Sequence, residues 1–393
     1  MRREDFVEPV AGELVPTPQG ALAFVPPPLP PAISYDAEWV QLLSQADARL
    51  SELSGMGRQL PSPHLLIAPC MRQEAVLSSR IEGTQASLSE LFEEEVREAA
   101  HAPALVAPTN DAAEVRNHVL AIELGLARLP ELRLSLRLVR ELHERLMQGT
   151  RGDKNPGQFR SHQNYIGAQG SRIETATFVP PPPDRLPACL IAWEKLIHVH
   201  DTLPDLVQCA LLHALFETIH PFADGNGRVG RLMTTLFLVE RGRLSQPLLY
   251  LSAFIEANKR EYCECLQRTR THGDWRGWLR YFLQGVEVTA RLAATQVTAL
   301  INLRERNLSR FASNAGIMVL IDALFENPLV DAQRAARVMK KTAPTARAAI
   351  AALEREGWLT ELTGRNWGKL YVAKELMVLL EKPDADLRAP HTA

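Results

Sequence analysis

Apolar positions recur at helical spacing from Asp36 onward: Trp39, Leu42, Leu43, Ala46 and Leu50 fall on one face of a predicted helix. Before it, residues 1–35 are proline-rich and aperiodic. Phe24-Val25-Pro26-Pro27-Pro28-Leu29-Pro30-Pro31 predicts an extended stretch, packed on the body or in a polyproline conformation. A short helix is predicted to open near Pro63. Pro69, which lacks an N–H and crowds the preceding turn, is expected to interrupt it, with a longer helix then running to about Glu82. Residues 85–100 read as an acidic amphipathic helix, followed by helices near 110–126 and 135–148. Residues 151–183 lose the helical period. Gly157-Gln158-Phe159-Arg160, Asn164-Tyr165-Ile166-Gly167 and Phe178-Val179-Pro180-Pro181-Pro182-Pro183 predict a short β-hairpin. Helices resume near 186–198 and continue to about Phe311. Apolar runs at 206–219 and 229–238 flank one polar gap.

Residues 314–380 form a pattern of their own: helix, helix, turn, helix, then two strands. Ile317, Val319, Leu320, Ala323 and Leu324 make the first apolar face, and Ala332–Met339 the second helix. Thr342-Ala343-Pro344-Thr345 opens the third, which runs through Ala349 and Leu353 to Gly357. Trp358-Leu359-Thr360-Glu361 and Lys369-Leu370-Tyr371-Val372 flank a tip, Gly364-Arg365-Asn366-Trp367-Gly368. This order resembles a winged helix-turn-helix. Arg334, Arg337, Lys340, Lys341, Arg347, Arg365 and Lys369 could meet the phosphates of DNA. The third helix is rich in alanine and offers few side chains that reach base edges, so protein contact, including a homodimer, stands beside DNA as a partner. The chain divides into an N-terminal helical segment (1–105), a helical core (106–312) and this module with its tail (313–393).

Composition narrows the class. A chain of 393 residues exceeds one compact core. A formal net charge of −2 gives no whole-chain attraction to nucleic acid or anionic membrane. The N-terminus lacks the apolar run of a secretory signal, and no stretch of membrane-spanning length is free of charge, so no membrane partner is expected. Five cysteines, Cys70, Cys189, Cys209, Cys263 and Cys265, are scattered without zinc-ligand spacing, which fits a reducing, cytoplasmic setting.

The polar gap carries the chemistry: His220-Pro221-Phe222-Ala223-Asp224-Gly225-Asn226-Gly227-Arg228-Val229-Gly230-Arg231. A potential base, a carboxylate, two glycines around an amide, and two arginines stand at the start of a helix. Glycines let backbone N–H groups approach anionic oxygens, and the helix N-terminus adds its positive end. His198, His200 and His213 lie nearby without metal-ligand spacing, and His213 reads as a core histidine.

This run resembles the signature of the Fic family, His-x-Phe-x-Asp/Glu-Gly-Asn-Gly-Arg-x-x-Arg, with every specified position met. The resemblance implies a mainly α fold: a Fic-type helical core with a small β-hairpin flap, beside the C-terminal winged helix. It implies transfer of AMP from ATP to a Ser, Thr or Tyr hydroxyl of a protein, with auto-AMPylation possible in principle. In those terms His220 is the base and Asp224 the Mg²⁺ ligand. Gly225, Asn226, Gly227, Arg228 and Arg231 hold the nucleotide phosphates. Tyr165, Ile166 and Gly167, with Gly157, Phe159 and Arg160, resemble the family's flap wording, an edge on which an extended target can register. Phe222 resembles the family's buried loop anchor.

Ser78-Ser79-Arg80-Ile81-Glu82-Gly83 resembles the family's inhibitory pattern, Ser/Thr-x-x-x-Glu-Gly/Asn. It implies that Glu82 competes with the γ-phosphate for Arg231, a strong and directional carboxylate–guanidinium pairing. Two other readings stay open: removal of AMP by the same site, and a DNA-binding regulator whose Fic core senses a nucleotide.

Overall fold

The computed structural model describes residues 1–9, 11–59, 63–99, 110–150, 155–167, 170–365, 367–381 and 387. The fold is mainly helical, with fifteen α-helices and two small antiparallel sheets among the described residues. The N-terminal portion holds β1 (Glu13–Pro16), β2 (Leu22–Val25), α1 (Ala37–Gln59), α2 (Pro63–Ile81) and α3 (Leu88–Ala99). The central portion runs through α4 (Asn110–Arg128), α5 (Leu136–Met147), α6 (Leu186–Ile197), α7 (Asp205–Ile219), α8 (Asn226–Glu240), α9 (Leu251–Ala257), α10 (Lys259–Thr271) and α11 (Trp275–Arg310). The C-terminal portion holds α12 (Ala315–Glu326), β3 (Leu329–Val330), α13 (Ala332–Met339), α14 (Ala343–Arg355), β4 (Thr360–Glu361), β5 (Tyr371–Val372) and α15 (Lys374–Glu381). No helix among the described residues is long and apolar enough to cross a membrane.

The antiparallel pair α7 and α8 lies at the centre. Every residue from Leu206 to Ile219 is buried, as is every residue from Asn226 to Leu238. A helix apolar around most of its circumference needs neighbours on all sides. These come from α2, α4, α5, α6, α10 and α11, while α1 runs along α11.

Three local expectations are corrected. Pro69 does not interrupt a helix: α2 is continuous from Pro63 to Ile81. Proline costs α2 one hydrogen bond, to the carbonyl of Leu65. The flanking Leu65, Leu66, Cys70 and Met71 are buried, and their packing outweighs that loss. The N-terminal stretch is not simply extended. β1 and β2 form a hairpin in which Leu14 faces Phe24. The hairpin expected in 151–183 shrinks to a single bridge, Ile166 to Phe178, with N–H···O distances of 2.8 and 3.0 Å in the two directions. Prolines 180–183 supply no donors for a longer ladder. The outer arm instead receives Phe24 N–H on Val179 O at 2.9 Å, so β2 continues the flap. Residues 151–154 and 168–169 of this segment lie outside the described residues.

In the C-terminal portion the sheet order is β3-β5-β4, which adds β3 to the two expected strands, and α15 was not expected. Arg334 is not available to a phosphate. Its guanidinium caps the carbonyls of Ala323, Asn327 and Leu329 at 3.1, 3.2 and 2.6 Å. Arg337 donates to Ala99 O at the end of α3. Lys340, Lys341, Arg347, Arg365 and Lys369 are exposed, and Trp367 at the tip is 87% exposed. Asn366 lies outside the described residues. Helices α12 and α15 both pack on α2.

Candidate active site

The signature forms the connection between α7 and α8. His220 caps α7 in the left-handed region, φ 49°, with its N–H on Phe216 O at 2.9 Å. Phe222 is fully buried and stacks on His143, ring centroids 3.7 Å apart. Gly225, φ 74°, turns the chain into α8, and a Cβ there would lie 2.6 Å from Met147 Sδ. The position therefore needs glycine twice over.

Asn226 closes the loop. Its Oδ1 accepts from Phe222 N at 2.8 Å and its Nδ2 donates to Phe222 O at 2.9 Å. This corrects the expectation for its side chain, which is spent on the loop rather than free for phosphate. What the residue can offer an anion is its backbone N–H, in the first turn of α8 with Gly227 and Arg228, where N–H groups have no partner within a helix.

Asp224 is exposed beside that turn. One carboxylate oxygen accepts from Gly225 N at 2.6 Å, and its carbonyl lies 3.1 Å from His143 Nε2. An exposed carboxylate next to a phosphate-sized N-terminus fits Mg²⁺, which takes one or two protein carboxylates and completes its shell with phosphate and water. Among the described residues no three acidic, histidine or cysteine side chains group as a metal cage.

The two arginines are buried and already paired. Arg228 donates to Glu114 Oε2 at 3.0 Å and contacts Met147 Sδ at 3.6 Å. Arg231 donates through Nε to Ser78 Oγ at 2.8 Å, and through Nη2 to Ser78 O at 2.9 Å and Glu82 Oε1 at 2.6 Å. Ser78 in the last turn of α2 and Glu82 just past its end stand four residues apart, so both reach the same side. The ion pair uses one carboxylate oxygen rather than two, and Ser78 accepts two further bonds from the guanidinium. Burial alone would raise Glu82, but the charge and hydrogen bond of Arg231 outweigh it and lower its pKa. A Cβ on Gly227 would collide with Glu82 Oε1, so that glycine is what lets the carboxylate reach the start of α8. Gly83, φ 102°, ends the run, and Lys259 Nζ caps Ile81 O at 2.6 Å.

His220 is held neutral near pH 7. Burial, then the charges of Arg270 and Arg160, bring its pKa down to about 4. Arg160 pins the loop from the flap side. Its N–H donates to Pro221 O at 2.9 Å, its Nε to His220 O at 2.8 Å, and its Nη2 to Pro181 O at 2.5 Å and Ile219 O at 3.3 Å. Asn164 Nδ2 reaches Phe222 O and Ala223 O, each at 3.3 Å. Tyr165, Ile166 and Gly167 form the inner arm of the flap, with Tyr165 Oη on Ser171 O at 2.9 Å. Arg270 lies over the Phe178 ring at 3.8 Å and donates to Thr218 Oγ1 at 3.1 Å and Glu217 O at 3.2 Å.

The sequence reading did not single out Glu114, His143, Glu217 or Arg270. Each is a polar residue on a largely apolar helix face, a pattern that signals burial but not the partner. His213 is a core histidine as read, 2.8 Å from Tyr262 Oη and stacked on Trp278.

Residues 40–127 match the Fic/DOC family N-terminal domain and residues 133–238 the Fic/DOC family domain. A probable protein adenylyltransferase of Aquifex aeolicus is 39% identical over 88 residues, covering 21% of this chain and 28% of that protein. The protein adenylyltransferase Fic of Drosophila erecta is 26% identical over 186 residues, covering 45% of this chain and 34% of that protein. The chain thus spans about a third of the length of these curated relatives. The crystal structure of a Fic family protein from Desulfovibrio desulfuricans G20 superposes with a TM-score of 0.53 over 87% of this chain and 98% of that one, at 19% identity, which is a likeness of fold. Taken with the complete signature between α7 and α8, these matches establish that the chain belongs to the Fic/DOC family.

Proposed function

We propose that the protein is an adenylyltransferase that moves AMP from ATP to a hydroxyl of a protein, restrained by its own Glu82. The observation that carries this reading is Glu82 paired with the buried Arg231 and Ser78, set against a neutral His220 and the N-terminus of α8. His220 accepts the proton of the target hydroxyl. The hydroxyl oxygen bonds to the α-phosphorus, and pyrophosphate leaves with the electrons of the broken P–O bond. The N–H groups of Asn226, Gly227 and Arg228 face the phosphate oxygens, and Arg228 adds charge. Asp224 would hold Mg²⁺, whose contribution is to neutralise charge on the phosphates. Arg231 serves the γ-phosphate when Glu82 withdraws. An extended target segment registers on the Tyr165–Gly167 arm, since the opposite arm is covered by β2.

In this reading the protein's own hydroxyls are substrates too, and the setting is cytoplasmic. Residues 314–380 act as a winged-helix unit whose exposed Lys340, Lys341, Arg347, Arg365, Lys369 and Trp367 meet DNA or a protein partner.

The test is the initial rate of labelling from labelled ATP, with a cell lysate and on the protein itself. Glu82→Gly is expected to label well above the parent chain, and Arg231→Ala in the Glu82→Gly background to erase the gain, because both residues act on one phosphate. Equal labelling by the parent chain and a folded, ATP-binding Glu82→Gly protein removes the restraint from the proposal.

A further inference from the structure

Glu217 stands one turn before His220 on α7 and takes no part in the reaction as described so far. Its side chain is 9% exposed, and its Oε2 lies 4.0 Å from His220 Nδ1. Its Oε1 and His220 Nδ1 are both buried without a hydrogen-bond partner among the described residues. An orphaned buried polar atom is costly, so two at adjacent sites call for a reason. α8 leaves room for the carboxyl group at Gly230, where a Cβ would lie 2.8 Å from Oε1. The backbone carbonyl of Glu217 also faces the imidazole, but it already accepts from Arg270 Nη2 at 3.2 Å.

We propose that Glu217 is a positioning residue for His220: its carboxylate accepts a hydrogen bond from the Nδ1–H of the imidazole and leaves the Nε2 lone pair for the target hydroxyl. This rests on the reading of His220 as the base. A small side-chain rotation closes the 4.0 Å gap. When the hydroxyl proton moves to Nε2, the O–Pα bond forms and pyrophosphate departs. The imidazolium then carries one positive charge, which the carboxylate faces without itself taking the proton. The other charged or titratable groups around the pair are Arg231 from α8, Arg270, Tyr262 and Cys263 from α10, Glu82 after α2, and Arg160 from the flap. Burial, opposed by Arg231, raises the Glu217 carboxyl to about 7, while His220 is near 4. The carboxylate is therefore lost as pH falls through neutrality, well above the point where the base itself is protonated.

The test compares Glu82→Gly with Glu82→Gly/Glu217→Gln and Glu82→Gly/Glu217→Asp in self-labelling from ATP. Glu217→Gln is expected to lower kcat about tenfold or more, within the ~10²–10⁴ that a general base supplies, with KM for ATP unchanged. It also removes the fall in rate below about pH 7, and Glu217→Asp restores part of the rate. Rate and pH profile equal to those of Glu82→Gly overturn the proposal. An inactive Glu82→Gly protein instead refutes the adenylyltransferase reading. A second measurement needs no activity: the ¹⁵N spectrum of the His220 ring is expected to show the Nδ1–H tautomer, shifting towards Nε2–H in Glu217→Gln. An Nε2–H ring in the parent chain overturns the assignment.

Discussion

Asn226 shows how one side chain can be needed for a site without touching what the site binds. Its amide both donates to and accepts from the backbone of Phe222, and both partners are buried. Asn226→Ala leaves a buried N–H and a buried carbonyl without partners. The expected loss is about 1–3 kcal/mol for each group, read as a lower melting temperature. Asn226→Asp keeps the acceptor for Phe222 N but loses the donor, so it is expected to melt between the two; a melt equal to that of the parent chain would remove the brace. His220→Ala, by contrast, is expected to leave melting close to that of the parent chain and to lower labelling by about 10²–10⁴ in the Glu82→Gly background. The signature was legible because its residue types and spacing are so constrained, and the Ser78–Glu82 pattern through its resemblance to the family's inhibitory motif beside that signature. The partners His143, Glu114 and Glu217 were not legible. They arrive from α5, α4 and an earlier turn of α7, and a single buried polar residue in an apolar stripe does not state what it faces.

At the scale of elements, α2 links the restraint to the rest of the chain. One side meets the signature through Ser78, and Glu74 receives Ser252 of α9, N–H on Oε2 at 3.2 Å and hydroxyl on Oε1. The other side carries α12, whose Ile317, Leu320, Ile321 and Leu324 are buried. The partners of the signature described above all lie between Ser78 and Arg270. A chain ending at Phe311 is therefore expected to keep self-labelling in the Glu82→Gly background. It is also expected to melt lower, because deleting α12 and α15 exposes the apolar surface of α2 that they cover. A soluble, folded truncation with no labelling would make the C-terminal portion part of the site. Helix periods were readable for most elements because one face is buried and the other is not. The N-terminal hairpin was not, since its strands are four residues each and half-buried, and what stabilises them is a long-range contact, Phe24 with Phe6 and Phe178. Pro69 misled because propensity is local, whereas the packing around Leu65 and Met71 is not.

For the whole molecule, the buried titratable groups set an expected pH profile of stability. Burial lowers His118 and His213 to about 3, and His143 and His220 to about 4. A group with a depressed folded pKa stabilises fully above its unfolded value, about 6.5 for histidine, and loses that contribution as pH falls through the folded value. All four therefore work against the fold between about pH 6.5 and pH 3–4. Glu74 and Glu217 have the opposite sign. Burial raises each from 4.5 to about 7, so each favours the fold most below pH 4.5 and loses that contribution as pH rises through 7. From pH 8 down to about 6.5 the two carboxyl groups take up protons and stability rises modestly. Below 6.5 four histidines outnumber two carboxyl groups, and stability falls. The melting temperature is thus expected to peak near pH 6.5, with a steeper decline on the acid side. Glu74→Gln, which keeps the contact with Ser252 without a charge, is expected to flatten the alkaline side and leave the acid side in place. A melting temperature constant from pH 8 to pH 5 would mean that these side chains titrate alike in the folded and unfolded chain.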